Sequence, residues 1–313
     1  YTLIATDSNG CSNTEIVEIT QNEELTASET ASDFTGQGIS CFGEDDGSIN
    51  LETNGGTGVY EYAWSAVDPN GQTITVPAAD ANGNITGLVA GTYSVVVSDE
   101  NGCEFPIEIE ITQNEELTAQ YTTSEYGIYQ ISCRNEDDGS IELTPTGGTG
   151  IYFYQWSAVD VEGQGIDLTQ DTPIQSDLIA GTYSVVVSDE NGCEFPIEIV
   201  MTQPDEGVEI EETHSDYTGQ GVSCFGDNDG FIDVTVTGGA GGYIYEWSAV
   251  DPNGQTITVP ANTDGDITGL VAGTYTLIAT DSNGCSNTEI VEITQNEELT
   301  ASETASDFTG QGI

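Results

Sequence analysis

Apolar residues fall on every second position through most of this chain. Ile49 and Leu51 alternate with Asn50 and Glu52, Tyr60, Tyr62 and Trp64 with Glu61 and Ala63, and Ile107, Ile109 and Ile111 with Glu108 and Glu110. A period of two puts one set of side chains on each face of an extended strand. Helical spacing appears nowhere. Turn signals separate the alternating runs: Gly55-Gly56-Thr57-Gly58, Asp68-Pro69-Asn70-Gly71 and Asp99-Glu100-Asn101-Gly102 are sequences that tolerate tight turns. Short strands with a turn about every 8–12 residues predict an all-β fold of immunoglobulin-like β-sandwiches. Tyr93 follows a Gly-bearing turn and opens the penultimate strand, the place of the corner tyrosine in such sandwiches. Tyr183 and Tyr275 hold the same place, as does Tyr1 in a partial first unit. These three internal tyrosines, with Trp64, Trp156 and Trp247, form the expected core.

The pattern repeats. Residues 275–313 copy residues 1–39 letter for letter, an offset of 274, and the tryptophans are spaced by 92 and 91. The expected organisation is the end of one repeat at 1–21, repeats at 22–113, 114–205 and 206–297, and the start of another at 298–313. The chain reads as a window on a longer tandem array. A unit of this size can bury its own core. Strand length predicts about 35–40 Å per unit, or on the order of 110 Å for three.

Charge narrows the function. There are 55 acidic residues against a single Lys or Arg, a net charge of −54. Phosphate binding needs Lys and Arg, so nucleic acid is excluded as an unaided partner and an anionic membrane surface is disfavoured. No run of apolar residues is long enough for a membrane-spanning helix in this segment. No cofactor is required, and calcium is the possible one. Asp227-Asn228-Asp229-Gly230 followed by Asp233 resembles half of an EF-hand loop, with Asp45 and Asp46, and Asp137 and Asp138, as weaker versions. The same residues also serve ordinary turns. His214 is the single histidine and no nucleophilic set can be assembled around it, so an enzyme is not expected.

Seven cysteines lie alternately 30–31 and 60–62 residues apart, without a Cys-x-x-Cys. Disulfides in an oxidising compartment are the expected state. Two pairings stay open. In an immunoglobulin-like topology Cys41 and Cys103 lie at opposite poles, about 30 Å apart for strands of ten residues, whereas a disulfide needs Cα atoms within about 7 Å. That favours cross-unit bonds, Cys41–Cys193 and Cys133–Cys285, with the other cysteines pairing outside this stretch. A short first strand would instead allow within-unit bonds, Cys41–Cys103, Cys133–Cys193 and Cys224–Cys285. Cross-unit bonds would brace every junction, and within-unit bonds would leave separate beads.

Taken in order, Cys-Phe-Gly-x-x-Asp-Gly-Ser-Ile, Gly-Gly-Thr-Gly-x-Tyr, Tyr-x-Trp-Ser, Gly-Leu-x-Ala-Gly-Thr-Tyr, Asp-x-Asn-Gly-Cys and Ile-Thr-Gln resemble the SprB-type repeat of large cell-surface adhesins of gliding Bacteroidota. The resemblance covers all three units. The second departs with Arg134-Asn135 for Phe-Gly and Ser176-Asp177-Leu178-Ile179 for Thr-Gly-Leu-Val, the third with Gly239-Ala240-Gly241 for Gly-Thr-Gly. It implies export to the bacterial cell surface, through the type IX route, and a long filament. The expected role is mechanical, as the stalk or spacer of an extracellular adhesin. The expected partners are neighbouring repeats of the same chain and lateral copies in a fibre. The alternative is a calcium-dependent adhesin module that grips polysaccharide through the variable stretches 68–83, 159–176 and 251–265.

Overall fold

A computed structural model describes residues 1–168, 171–259 and 264–303 of the chain. The described residues form strands, turns and connecting segments, with no helix among them. A hairpin comes first, β1 (Thr2–Thr6) with β2 (Ser12–Ile16). Seven strands follow: β3 (Thr26–Ala31), β4 (Gly47–Asn54), β5 (Glu61–Val67), β6 (Thr73–Ile74), β7 (Ile85–Leu88), β8 (Gly91–Ser98) and β9 (Glu104–Ile111). The set recurs as β10 (Thr118–Thr123), β11 (Gly139–Thr146), β12 (Phe153–Asp160), β13 (Gly165–Ile166), β14 (Ile174–Leu178), β15 (Gly181–Ser188) and β16 (Glu194–Met201). It recurs again as β17 (Glu209–His214), β18 (Gly230–Thr237), β19 (Ile244–Val250), β20 (Thr256–Ile257), β21 (Ile267–Leu270), β22 (Gly273–Thr280) and β23 (Ser286–Ile293).

Each set splits into a three-stranded sheet, β3-β4-β7 in the first, and a four-stranded sheet, β6-β5-β8-β9. The pairing in both is antiparallel. Alternation does the folding. Tyr93, Val95 and Val97 of β8 turn inward to meet Ile49 and Leu51 of β4, Ile85 and Leu88 of β7, and Ile109 and Ile111 of β9. A fully buried side chain of this kind contributes about 1.5–3 kcal/mol. In the third set Ile232, Ile267, Leu270, Tyr275, Val291 and Ile293 take the same places. Strand β9 lies at a sheet edge, where Glu104, Glu108 and Glu110 face solvent and Pro106 has no N–H to offer. Both features discourage pairing with another chain.

The tyrosines close the corner. The hydroxyls of Tyr93, Tyr183 and Tyr275 donate to the carbonyls of Val89 (3.0 Å), Ile179 (2.8 Å) and Val271 (3.0 Å), each four residues upstream. Burial pushes the Tyr183 hydroxyl up to about 12. Tyr1 is exposed. The tryptophans lie half-buried at the flank of the core, not at its centre, because the indole N–H must reach an acceptor at the rim. They donate to the carbonyls of Gly83 (3.1 Å), Thr172 (2.9 Å) and Gly265 (2.9 Å).

The hairpin β1–β2 shows how much of this is local. It has the sequence and register of β22–β23. Yet Leu3 is 66% exposed where Leu277 is fully buried, because β22 also pairs with β19 and faces a second sheet. Pairing follows from the turn, burial from the neighbours.

By compactness the chain divides into two units. The first is Tyr1–Gln120 with Thr144–Gln155 and Val186–Ile197; the second is Tyr121–Leu143 with Trp156–Val185 and Glu198–Ile313. The division runs through the middle set of strands, so each unit holds one end of it.

Candidate functional site

The motifs of the repeat converge on two kinds of loop. One is the Asp-x-Asn-Gly-Cys turn between the last two long strands. Asp189 Oδ1 accepts from the N–H groups of Asn191 (3.0 Å) and Cys193 (2.9 Å), and its Oδ2 from the N–H of Thr149 (2.8 Å) in the Gly-Gly-Thr-Gly loop. Asp99 does the same with Asn101, Cys103 and Thr57, each at 2.9 Å. Those N–H groups, that of Cys103 foremost, hold the Asp99 carboxyl below its ordinary range. The paired glycines are required: Gly55 has φ +76° and a Cβ there would lie 1.9 Å from the Glu24 carbonyl oxygen.

The other loop surrounds Cys-Phe-Gly. The chain leaves β3, turns at Phe34 and Gln37, buries Ile39 and reaches Cys41. Gln113, from the Ile-Thr-Gln motif, accepts from the N–H of Gly43 (2.8 Å), as Gln203 does from Asn135 (2.8 Å) and Gln295 from Gly226 (3.0 Å). Asp46, Asp138 and Asp229 accept from the N–H groups of Ser40, Ser132 and Ser223, each at 3.1 Å. Hydrogen bonds from Ser223, by side chain and backbone, hold Asp229 below the usual carboxylate range.

These two loops meet. In the first unit Cys41 is bonded to Cys193, with Cα atoms 5.6 Å apart. Beside the bond, Asn191 Nδ2 donates to the carbonyls of Ser40 (3.0 Å) and Phe34 (3.4 Å), and the Thr35 hydroxyl donates to Asn191 Oδ1 (2.9 Å). In the second unit Cys133 is bonded to Cys285, with Cα atoms 5.7 Å apart, and Asn283 Nδ2 donates to Ser132 (3.1 Å) and Tyr126 (3.3 Å). Each junction therefore joins the cysteine loop that follows β3 or β10 to the Asp-x-Asn-Gly-Cys turn between β15 and β16 or between β22 and β23. The within-unit pairs Cys41–Cys103, Cys133–Cys193 and Cys224–Cys285 do not form. Cys41, Cys133, Cys193 and Cys285 are taken by the cross-repeat bonds, and Cys103, Cys224 and Cys11 are exposed free thiols. The junction asparagines escape sequence reasoning because their partners lie 151 and 157 residues away.

The aspartates considered as calcium ligands are not gathered. Asp46, Asp138 and Asp229 are held by backbone N–H groups, Asp227 accepts from the Ser223 hydroxyl (2.9 Å), and Asp45, Asp137 and Asp233 are exposed. Among the described residues no three His, Cys, Asp or Glu side chains come together as metal ligands would. The row of Tyr60, Tyr62 and Trp64 faces the core, with the Tyr60 hydroxyl donating to the Gly55 carbonyl (2.7 Å). Of the variable stretches, 68–83 is two further aspartate turns, at Asp68 and Asp80. Residues 169–170 of the second stretch, 260–263 of the third, and 304–313 of the terminal segment lie outside the described residues.

The sequence profile of the SprB repeat matches this chain at residues 37–69, 128–161 and 220–252. Each match runs from the Cys-Phe-Gly loop through the tryptophan strand. No curated protein matches the chain. Among solved structures, a bacterial ice-binding adhesin of 1.5 MDa is 16% identical, covering 88% of this chain and 99% of its own, with a TM-score of 0.43. The three N-terminal domains of the Hoc outer capsid protein of bacteriophage RB49 are 17% identical, covering 86% and 95%, with a TM-score of 0.37. A tetra-tandem repeat from the extending region of a large adhesion protein is 17% identical, covering 94% and 80%, with a TM-score of 0.31. The SprB repeat profile thus matches this chain three times, once in each recurring set of strands.

Proposed function

We propose that this chain is a structural segment of a long extracellular bacterial surface filament or adhesin stalk. Its role is mechanical rather than catalytic, and its partners are the repeats before and after it. The observation that carries the reading is the placement of the disulfides, each of which ties one repeat to the next. A separate bead needs no such bond, since its own core holds it. A bond across a junction limits bending and keeps neighbours in line under load. Each closes a loop 152 residues apart in sequence, and the loop-entropy model credits a loop of that size with about 5 kcal/mol. The repeat boundaries 22–113, 114–205 and 206–297 belong to this proposal. So do export by the type IX route and a place in gliding motility, which rest on the family alone. Calcium enters it as a counterion to the acidic surface, since Asp46, Asp138 and Asp229 already accept from backbone N–H groups and the other loop aspartates are not gathered around one point.

Small-angle scattering with and without reductant tests the brace. The oxidised protein is expected to give a narrow distribution of interatomic distances with a defined maximum. Reduction, or Cys193→Ser together with Cys285→Ser, is expected to broaden its long-distance tail while circular dichroism stays that of folded β-sandwiches. Indistinguishable profiles in the two states would sink the brace.

A further inference from the structure

Asparagine followed by glycine is a reactive pair, because glycine presents its amide nitrogen to the asparagine side chain with no Cβ in the way. Such pairs recur in the Asp-x-Asn-Gly turns, and what touches the asparagine differs from turn to turn. Asn70, in the turn between β5 and β6, and Asn253, in the turn between β19 and β20, are exposed. Only their backbone N–H groups are bonded among the described residues, to Asp68 and Asp251, each at 2.9 Å. Asn191 is half-buried and held by its side chain. Its Nδ2 donates to the carbonyls of Ser40 and Phe34 and to the Thr149 hydroxyl (3.2 Å), and its Oδ1 accepts from Thr35. Asn283 is held in the same way, by Ser132 and Tyr126. The glycines do not make the difference. Gly71, Gly192 and Gly254 have φ of +82°, +84° and +79°, with no atom within 4 Å of the place a Cβ would take. Each donates its N–H to the carbonyl of the turn's aspartate, at 2.9, 3.1 and 2.8 Å. In the second set of strands Glu162 stands where Asn70 stands in the first, and Asp160 still accepts from the N–H groups of Glu162 (2.9 Å) and Gln164 (2.8 Å). The turn therefore accepts a carboxylate at that place.

We propose that Asn70 and Asn253 are sites of spontaneous deamidation, and that the junction withholds Asn191 from the same reaction. The Gly71 N–H leaves the Asp68 carbonyl and loses its proton to hydroxide, and the nitrogen attacks Cγ of Asn70. A C–N bond forms to the backbone, the C–N bond of the side-chain amide breaks, and ammonia departs with a proton from water. The product is a five-membered succinimide. Water adds to either of its carbonyls and reopens the ring as aspartate or isoaspartate. In sum an amide and a water become a carboxylate and an ammonium ion, and nothing is oxidised or reduced. The rate rises with pH, because the attacking nitrogen must lose its proton. The aspartate product keeps the turn, as Glu162 does. Isoaspartate puts an extra methylene into the backbone and displaces the N–H groups that Asp68 accepts. At Asn191 the same attack requires Cγ to swing away from its partners, so the bonds that break add to the barrier. A carboxylate there would face the Ser40 and Phe34 carbonyls with no proton to give. The junction thus shields the one amide it depends on.

The test incubates the 313-residue protein at mildly alkaline pH and samples it over weeks. Each sample is reduced, cleaved before aspartate and mapped by fragmentation that separates aspartate from isoaspartate. Peptides 68–79, 251–263 and 189–204 differ in sequence, so each site is followed by itself. Asn70 and Asn253 are expected to convert at least about tenfold faster than Asn191. In urea with reductant the gap is expected to vanish, with all three sites converting together. Equal rates at Asn70 and Asn191 in the folded protein overturn the proposal. So does an Asn70 that stays an amide in the folded protein and converts only in urea, since the turn alone then protects it. A gap that persists in urea also overturns it, since the neighbouring residues and not the junction then set the rate.

Discussion

Eight aspartates, at 7, 68, 80, 99, 160, 189, 251 and 281, repeat one local arrangement. Each Oδ1 accepts from the N–H groups two and four residues on, and the glycine at the third place has φ near +80 to +90°. A part of the chain's acidity, eight of its 55 acidic residues, is therefore turn-building. Asp189 is 3% exposed and serves three donors. Asp189→Ala is expected to cost about 2–3 kcal/mol, because those donors lose a charged acceptor. Asp189→Asn, which keeps a carbonyl oxygen, should cost less; urea unfolding measures both. Asp80 and Asp99 are held below the ordinary carboxylate range by backbone N–H groups, those of Asn84 and Cys103 foremost. A depressed pKa stabilises the fold above the unfolded value and is lost as pH falls through the folded one, so their loops should weaken only below about pH 4. The turn role of these residues was legible in sequence, since Asp-x-Asn-Gly is a local signal. The clamp made by Asn191 and Asn283 was not, because it exists only when a distant loop arrives.

Strands were the most legible elements. Each long alternating run of residues 22–113 became a strand, and the buried positions of β8 follow every second residue. The polar stretch after Leu25 carries no such alternation. Only its first part, β3, pairs as a strand, and the rest is the loop that makes the junction, where hydrogen bonding outweighs apolar content. Tyrosine corners were visible from position alone, and the structure adds their acceptors. Tyr183→Phe keeps the ring and removes the bond to the Ile179 carbonyl. It is expected to lower stability by about 1 kcal/mol, read from the urea midpoint, and to remove one late-titrating phenol from the ultraviolet absorbance titration.

At the scale of the molecule, repetition and the resemblance to the SprB repeat were legible, since both are properties of the letters. Cysteine spacing left two pairings open because it carries no information on which poles meet; that depends on how one sandwich follows another. The net charge of −54 sets copies and repeats against one another over a range of about 10 Å at 0.1 M salt. The melting temperature is expected to rise by several degrees between low and near-molar sodium chloride, followed by calorimetry; a flat response would show that the charges are too dispersed to matter. The two disulfides also overlap along the backbone. One spans residues 41–193 and the other 133–285, so every peptide bond between Cys41 and Cys285 lies inside at least one covalent ring. A protease that nicks an exposed loop there opens a ring without parting the chain. Within residues 41–285 a single cut therefore leaves the two sides still tied, and a second is needed to part them.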